Sequence, residues 1–135
     1  MAEKWFDHED IMRISARALQ EAAALGIEDA GHMWRLYRDA KDRLCRRDAE
    51  GKEERVPDYP NDLAAAWILL EEMRSSRDGH FTLMSFTTNW RAAPGTIQDP
   101  LIESCDMMEG DTPALAITRA FILWAYNRDK AVCDD

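Results

Sequence analysis

The segment from Arg35 to Arg47 holds the residues whose types are best suited to bind a charged ligand. Guanidinium groups bind phosphate and carboxylate groups through paired hydrogen bonds. Asp39 and Asp42 lie among the basic residues at spacings that permit ion pairs along a helix. A solvated surface of internal salt bridges is therefore the alternative to an anion-binding surface. The basic side chains are Arg35, Arg38, Lys41, Arg43, Arg46 and Arg47.

Two tryptophans are each followed by an arginine, in the pairs Trp34-Arg35 and Trp90-Arg91. Tryptophan and arginine are enriched at the energetic centres of protein interfaces. They also stack on and neutralise nucleotides. Packing at the edge of the core is the alternative for both pairs. Together with acidic residues of the segment 99–111, the candidate partner-binding residues are Trp34, Arg35, Arg38, Trp90, Arg91, Asp99, Glu103, Asp106 and Glu109.

Residues that could perform catalysis or bind a metal do not occur in a recognisable pattern. The histidines and cysteines lack the spacing of zinc ligands, and no phosphate-binding glycine motif or nucleophile motif is present. We therefore expect no catalytic residue, no metal and no cofactor, and a binding protein rather than an enzyme. The histidines and cysteines of the chain are His8, His32, His80, Cys45, Cys105 and Cys133.

The composition is that of a single globular domain of 135 residues, with 46% hydrophobic and 32% charged residues. The net charge of −9 disfavours direct binding of nucleic acid and suits a basic protein partner, although solubility alone also explains it. No apolar run approaches the ~20 residues of a membrane span. The N-terminus lacks the pattern of a signal peptide, and an odd number of dispersed cysteines is typical of a reducing compartment. These features predict a cytoplasmic protein without membrane contact.

The elements that would position these residues begin with two helices. Apolar residues at helical spacing predict a first helix over about 7–25, ended by Gly26, and a second over about 29–47. Together they would form a helical hairpin within residues 1–50. A polar segment with two prolines, 48–61, is typical of a loop. A third helix is expected from an Asn61 or Asp62 cap to about Ser75, with Trp67 in its buried stripe.

The remaining residues alternate strand and turn patterns before a final helix. Residues 80–88 predict a strand, 97–107 a weaker one, and 109–111 a turn. Asp111 or Thr112 followed by Pro113 is a strong helix start, and the helix that follows is apolar on most sides. The expected fold is α+β in one domain, residues 1–135. A small antiparallel sheet of two or three strands packs with helices and is preceded by the helical hairpin.

Two of these segments, residues 57–67 (PDYPNDLAAAW) and 111–120 (DTPALAITRA), stand on either side of a phenylalanine-bearing strand and Trp90. In this order they resemble the phage ABA sandwich domain family over roughly residues 57–127. The resemblance implies a sheet with helices packed against it and an origin in a phage or prophage. It carries no catalytic residue. The first 50 residues, Pro94 and Pro100 depart from the family's pattern.

These observations favour an acidic, phage- or prophage-encoded protein that acts by protein–protein contact in the cytoplasm of a bacterial host. Its partner would be a host protein or ribonucleoprotein complex, and inhibition of a defence complex, as by an anti-CRISPR protein, is its most concrete form. Two alternatives stay open. One is a phage accessory or assembly protein that self-associates into a homo-oligomer. The other is a protein that sequesters a nucleotide signal through its arginines.

Overall fold

The computed structural model describes residues 8–29, 35–76, 81–94 and 107–127, which form four helices and two three-stranded antiparallel sheets. The fold is therefore of the α+β class, as predicted. The sequence predicts one small antiparallel sheet packed with helices, and the described residues form two. The elements in chain order are α1 (His8–Arg13), α2 (Ala16–Asp29), β1 (Arg35–Arg38), β2 (Leu44–Arg47), β3 (Glu53–Arg55), α3 (Leu63–Ser76), β4 (Phe81–Ser85), β5 (Trp90–Pro94), β6 (Met108–Gly110) and α4 (Pro113–Asn127).

The predicted second helix over 29–47 is wrong, and with it the helical hairpin of residues 1–50. Strands β1 and β2 form an antiparallel β-hairpin in which Tyr37 is opposite Cys45. The turn between them is built by Asp39, whose carboxylate accepts hydrogen bonds from the amides of Lys41 and Arg43, both at 2.9 Å. Asp42 adopts the left-handed conformation, with φ of 61°. Aspartate tolerates this conformation better than most residues, and one such residue interrupts a helix.

Strand β3 extends this sheet within a segment that was predicted to be a loop. It pairs antiparallel with β2, so that Arg46 is opposite Glu54. The Arg46 guanidinium and the Glu54 carboxylate form an ion pair of 2.7 Å. The intervening turn uses Gly51 at φ of 88°, where a residue without a Cβ carries no steric penalty. Opposite charges on facing strands thus stabilise strands that lack an apolar alternation.

The predicted first helix is two helices, because the chain breaks at Ile14 and Ser15. The Ser15 hydroxyl accepts a hydrogen bond of 3.2 Å from the amide of Ala18 and so caps the start of α2. The prediction that Gly26 ends this helix is wrong, since α2 continues to Asp29. Gly26 is instead buried inside α2, at a close contact with the Phe121 ring.

The start of α3 agrees with the prediction, because Asp62 accepts a hydrogen bond of 3.0 Å from the amide of Ala64. The predicted strand over 80–88 is confirmed over Phe81–Ser85 as β4, whereas residues 86–88 lie in the connection to β5 and His80 lies outside the described residues. Strand β4 pairs with β5, and β5 pairs with β6. The turn predicted at 109–111 is wrong for Glu109 and Gly110, which belong to β6. Of the weaker strand predicted over 97–107, residues 97–106 lie outside the described residues.

Helix α4 is the centre of the hydrophobic core and contacts α1, α2, α3 and the sheet of β4–β6. Its predicted start is confirmed, since the Thr112 hydroxyl accepts a hydrogen bond of 3.2 Å from the Leu115 amide. Its expected wide burial is confirmed as well. The largest fully buried apolar side chains of the core belong to Ile11, Leu19, Tyr59, Leu69, Met73, Met108, Ile117, Phe121 and Ile122.

Candidate functional site

Helix α3 presents large apolar side chains to solvent. Leu63, Trp67 and Ile68 are 45%, 47% and 49% exposed, so the prediction of Trp67 as a core residue is wrong. A shallow hollow of about 420 Å³ lies here, lined by Ala64, Trp67, Ile68, Glu71 and Glu72. We call this surface, with Leu63, the α3 face. Scattered exposed leucines are ordinary, but adjoining large apolar side chains on one helix mark an interaction surface.

The orientation of α3 explains why Trp67 lies outside the core. Residues 63–70 of the helix are all apolar, so this part of its sequence offers more than one candidate face for burial. The structure buries one side of the helix and leaves the opposite side, with Leu63 and Trp67, exposed. Which side of α3 is buried is decided by its packing against α4 and the sheet of β4–β6, not by the periodicity of α3 itself. The buried residues of the helix are Ala65, Ala66, Leu69, Leu70 and Met73.

Charge divides the molecule into two unlike parts. Residues 35–55, which span the first sheet, hold eight basic and six acidic residues, whereas the rest of the chain holds nine basic and twenty acidic residues. The α3 face belongs to the acidic part. Its Glu71 carboxylate forms an ion pair of 3.1 Å with Arg74. The arginine-rich segment identified in the sequence is therefore the local exception in a strongly acidic molecule.

A polar cleft lies where α2 meets the first sheet, with a volume of about 270 Å³. We call it the arginine cleft, because four arginines from four different segments of the chain line it. Arg17 comes from α2, Arg38 from β1, Arg43 from the turn before β2, and Arg55 from β3. The complete lining is Ala16, Arg17, Gln20, Arg38, Asp42, Arg43, Leu44, Arg55, Asp58 and Asn61.

Carboxylates hold three of the four guanidinium groups in place. Asp42 contacts Arg17 through both carboxylate oxygens, at 2.7 and 3.2 Å. Its backbone carbonyl also accepts a hydrogen bond of 3.2 Å from Arg38, whose other nitrogen binds Glu21 at 2.9 Å. Asp42 thus contacts two cleft arginines at once.

Arg43 is held by the carboxylate that organises the hairpin turn. Its Nε lies 2.8 Å from Asp39 Oδ2. The hydrogen bond from the Arg43 amide is the largest influence that holds the pKa of Asp39 below its usual value, and the Arg43 guanidinium adds to it. Asp39 is therefore a permanent anion at neutral pH, which keeps Arg43 at the cleft wall.

The fourth arginine of the cleft differs from the other three. Arg55 is exposed, and although its backbone belongs to β3, its guanidinium makes no hydrogen bond or ion pair with any residue that the structure describes. The chain just beyond it is fixed to α2, because Gln20 Nε2 donates to the carbonyls of Val56 and Pro57, both at 3.1 Å. A guanidinium with unused donors thus stands at a rigid part of the cleft.

Three of the candidate residues from the sequence meet in the second sheet. Trp90 packs against the core, and Arg91 is opposite Glu109 on the neighbouring strand. The Arg91 guanidinium lies over the Phe86 ring at 4.5 Å from its centre. Glu109 accepts a hydrogen bond of 2.9 Å from Asn89. This group forms internal contacts of the sheet, so edge-of-core packing describes Trp90 better than an exposed anchor.

Helix α4 is joined to strand β6 through Arg119. Its guanidinium donates a hydrogen bond of 2.8 Å to the carbonyl of Glu109. Burial lowers the pKa of Arg119, and the carboxylates of Asp111 and Glu109 oppose that shift. The contact therefore joins α4 to β6 as part of the fold.

The remaining candidates are divided between the arginine cleft, the free surface and parts of the chain that are not described. Arg38 lies in the cleft, and Arg35 is an exposed residue at the start of β1. The other four, Trp34, Asp99, Glu103 and Asp106, lie outside the described residues.

Sequence reasoning missed Arg17 and Arg55 as members of the cleft. No local pattern could have identified them, because Arg17 is 25 positions from its partner Asp42. Arg55 lies in a segment that was predicted to be a loop. The fold alone brings both of them to Arg38 and Arg43.

No protein-family model matches this chain, and neither does any curated protein or solved structure. The resemblance of residues 57–127 to the phage ABA sandwich family therefore stays a prediction. No helix among the described residues is both long and apolar enough to span a membrane. Within the same residues, no group of three or more histidine, cysteine or acidic side chains is placed to hold a metal ion.

Proposed function

We propose that this chain is an acidic binding protein that acts by protein–protein contact through the α3 face. The observation that carries the proposal is the exposure of Leu63, Trp67 and Ile68 side by side on one helix. Burying large apolar side chains of this kind contributes roughly 1.5–3 kcal/mol each. A tryptophan at the centre of such a surface is a typical energetic anchor of an interface.

The charge of the molecule indicates what the partner surface is like. Outside residues 35–55 the chain has more than twice as many acidic as basic residues. Charges of opposite sign around an interface speed encounter and exclude wrong partners. The partner therefore offers an apolar groove or patch with a basic border. Surfaces that bind nucleic acid have such basic borders.

The most specific form of this proposal is a phage- or prophage-encoded inhibitor of a bacterial defence complex, such as an anti-CRISPR protein, in the cytoplasm of the host. An acidic protein can occupy a groove built for the phosphate backbone of DNA or RNA, because it presents the same sign of charge. The resemblance of residues 57–127 to a phage family and the strong acidity support this form.

The test is affinity capture by the tagged full chain from lysates of bacteria that carry diverse defence systems. The informative variant is Trp67→Ser combined with Ile68→Ser. The matched control is Leu25→Ser, which changes an equally exposed leucine, 45% accessible, on α2. We expect the unchanged chain and the control to recover one nucleic-acid-processing complex in stoichiometric amount. The α3 variant should bind that purified complex at least roughly tenfold more weakly.

Inhibition is measured on the purified complex that is captured. Saturating amounts of the unchanged chain should block its nuclease or effector activity, and the α3 variant should not. Full activity of every candidate complex at saturation contradicts the inhibitor form. Equal capture by the unchanged chain and the α3 variant contradicts the assignment of the α3 face. If the mass in solution rises with concentration and the α3 variant abolishes that rise, the face serves self-association instead.

A further inference from the structure

We propose that the arginine cleft binds the phosphate group of a small phosphate monoester, and that Asp42 occupies the position of this phosphate when no ligand is bound. The cleft shares no residue with the α3 face, so the inference stands apart from the proposed protein contact. It rests on three observations: the convergence of four arginines, the Arg55 guanidinium without a partner among the described residues, and the exposed contact of Asp42 with Arg17 through both carboxylate oxygens.

The convergence of guanidinium groups defines the chemistry of the ligand. Arg17, Arg38, Arg43 and Arg55 line one cleft although they come from distant parts of the sequence. Arginine offers paired donors that match the oxygens of a phosphate. The volume of about 270 Å³ lies just below the usual lower limit for ligand pockets, roughly 300 Å³. This size suits a phosphate with one attached small group rather than a dinucleotide.

The charges of the cleft are balanced when it is empty of ligand. Arg17, Arg38 and Arg43 are paired with carboxylates, and Asp58 also lines the cleft. An arriving anion must therefore either use Arg55 alone or replace one of these carboxylates. Replacement allows the phosphate to contact several guanidinium groups, and a phosphate that makes several charge-assisted hydrogen bonds is held far more strongly than one that makes a single contact.

Asp42 is the carboxylate that a phosphate can displace from its arginine partner. Its side chain is 59% exposed, and it sits in a hairpin turn rather than within a helix or strand. It binds Arg17 through both oxygens, which is the geometry that a phosphate would use. Its φ of 61° belongs to the hairpin turn and lies in the left-handed region that aspartate tolerates. The ion pair itself is worth little, because both partners are exposed.

Polar side chains next to the arginines would contact the rest of the ligand. Gln20, Asp58 and Asn61 line the cleft, and Asn61 Nδ2 is 3.2 Å from Asp58 Oδ1. The first turn of α2 also borders the cleft through Ala16 and Arg17. Amides at the start of a helix lack partners within the helix and favour anions.

The experiment measures binding to the full chain by calorimetry at constant ionic strength, with a nucleoside monophosphate, inorganic phosphate and the parent nucleoside as probes. We expect saturable binding of the first two and none of the nucleoside. Asp42→Asn keeps a residue that tolerates the left-handed conformation but removes the competing charge. It should bind the monophosphate about tenfold more tightly, a change of roughly 1.4 kcal/mol.

Two further variants complete the design. Arg55→Gln should weaken binding about tenfold, whereas Arg74→Gln, on α3 and outside the cleft, should leave it unchanged. Unfolding in urea verifies that each variant is folded. The proposal is overturned by the absence of saturable binding of either phosphate probe, by nucleoside binding as tight as that of the monophosphate, or by affinities that Arg55→Gln and Asp42→Asn leave unaltered.

Discussion

Gly26 of α2 lies so close to Phe121 of α4 that a Cβ atom at position 26 would stand 2.8 Å from Cε2 of the ring. Real Cβ atoms do not approach a ring carbon this closely, and Phe121 is fully buried, so its ring has little freedom to move. The absence of a side chain at Gly26 therefore sets the distance between α2 and the central helix. It also explains the presence of a glycine inside α2, where alanine would have the better helix propensity.

We predict that Gly26→Ala lowers the free energy of unfolding by about 1–2 kcal/mol. Overpacking of a dense core costs roughly 1–3 kcal/mol, and the better helix propensity of alanine offsets up to about 1 kcal/mol of this. Urea unfolding followed by circular dichroism measures the change. Gly51→Asn is the control, because Gly51 has open space around it and asparagine tolerates its positive φ. A Gly26→Ala protein as stable as the control would show that α2 and α4 adjust freely.

A larger loss is expected for Gly110→Ala. A Cβ at this position would lie 2.6 Å from the backbone nitrogen of Ala116 and 3.0 Å from the carbonyl carbon of Leu115. Backbone atoms inside the first turns of α4 cannot rotate away as a side chain can. We expect a destabilisation of roughly 3 kcal/mol, at the upper end for overpacking. The same urea measurement should rank Gly110→Ala below Gly26→Ala in stability, and the reverse order would contradict the close approach of β6 and α4.

The parts of this fold that the sequence predicts correctly are those with strong local signals. Asp62 before α3, and Thr112 with Pro113 before α4, fix two helix starts by hydrogen bonding and by the geometry of proline. Strand β4 is also predicted, because its run of β-formers follows a turn signal. These signals act within a few residues, so they do not depend on what the element packs against.

Long-range contacts decide the features that the sequence does not reveal. Strands β1 and β2 are too short to show an alternation of apolar and polar residues, and their pairing depends on the Asp39 turn. The outward position of Trp67 depends on which side of α3 meets α4. The arginine cleft depends on Arg17 and Arg55 reaching Arg38, which no spacing along the chain encodes. Tertiary packing overrides local periodicity at each of these sites.

The hairpin turn gives a prediction about pH. The pKa of Asp39 is held low in the folded state, first by the amide of Arg43 and then by its guanidinium. An unfolded aspartate titrates near pH ~3.9. The carboxylate therefore stabilises the fold fully above that pH, and this contribution disappears as the pH falls through the lower folded pKa. Asp39→Asn should be less stable than the unchanged chain at neutral pH, and the difference should shrink on acidification to about pH 2.

A matched control for this prediction is Asp48→Asn in the next turn. Asp48 Oδ1 accepts hydrogen bonds from the amides of Glu50 and Lys52, both at 2.9 Å, in the same manner as Asp39 accepts from its turn. An asparagine can replace both of these bonds. We therefore expect a smaller loss at neutral pH than for Asp39→Asn, where the bond to the Arg43 side chain is also lost. Equal losses in urea unfolding would show that the pairing with Arg43 contributes nothing.

The last prediction concerns Tyr59, which is 1% exposed. Burial raises the pKa of its hydroxyl, and the neighbouring Arg46 guanidinium opposes that shift in part. An unfolded tyrosine ionises near pH ~10. Because the folded state holds the proton to a higher pH, the contribution of Tyr59 to stability is full below about pH 10 and is lost as the pH rises through the folded pKa.

Replacing Tyr59 by phenylalanine distinguishes two contributions of this residue to stability: the ionisation of its hydroxyl and its hydrogen bond with Arg46. Tyr59→Phe should be less stable by about 1 kcal/mol at neutral pH, because the hydrogen bond with Arg46 is lost. Above about pH 10 the difference should narrow, since phenylalanine has no proton to lose on unfolding. Urea unfolding at neutral and at alkaline pH measures the stability difference between the two proteins under each condition. Ultraviolet titration should show that one tyrosine fewer ionises in the Tyr59→Phe protein when it unfolds at alkaline pH. A difference that stays constant with pH would mean that Tyr59 ionises as readily in the fold as in the unfolded chain.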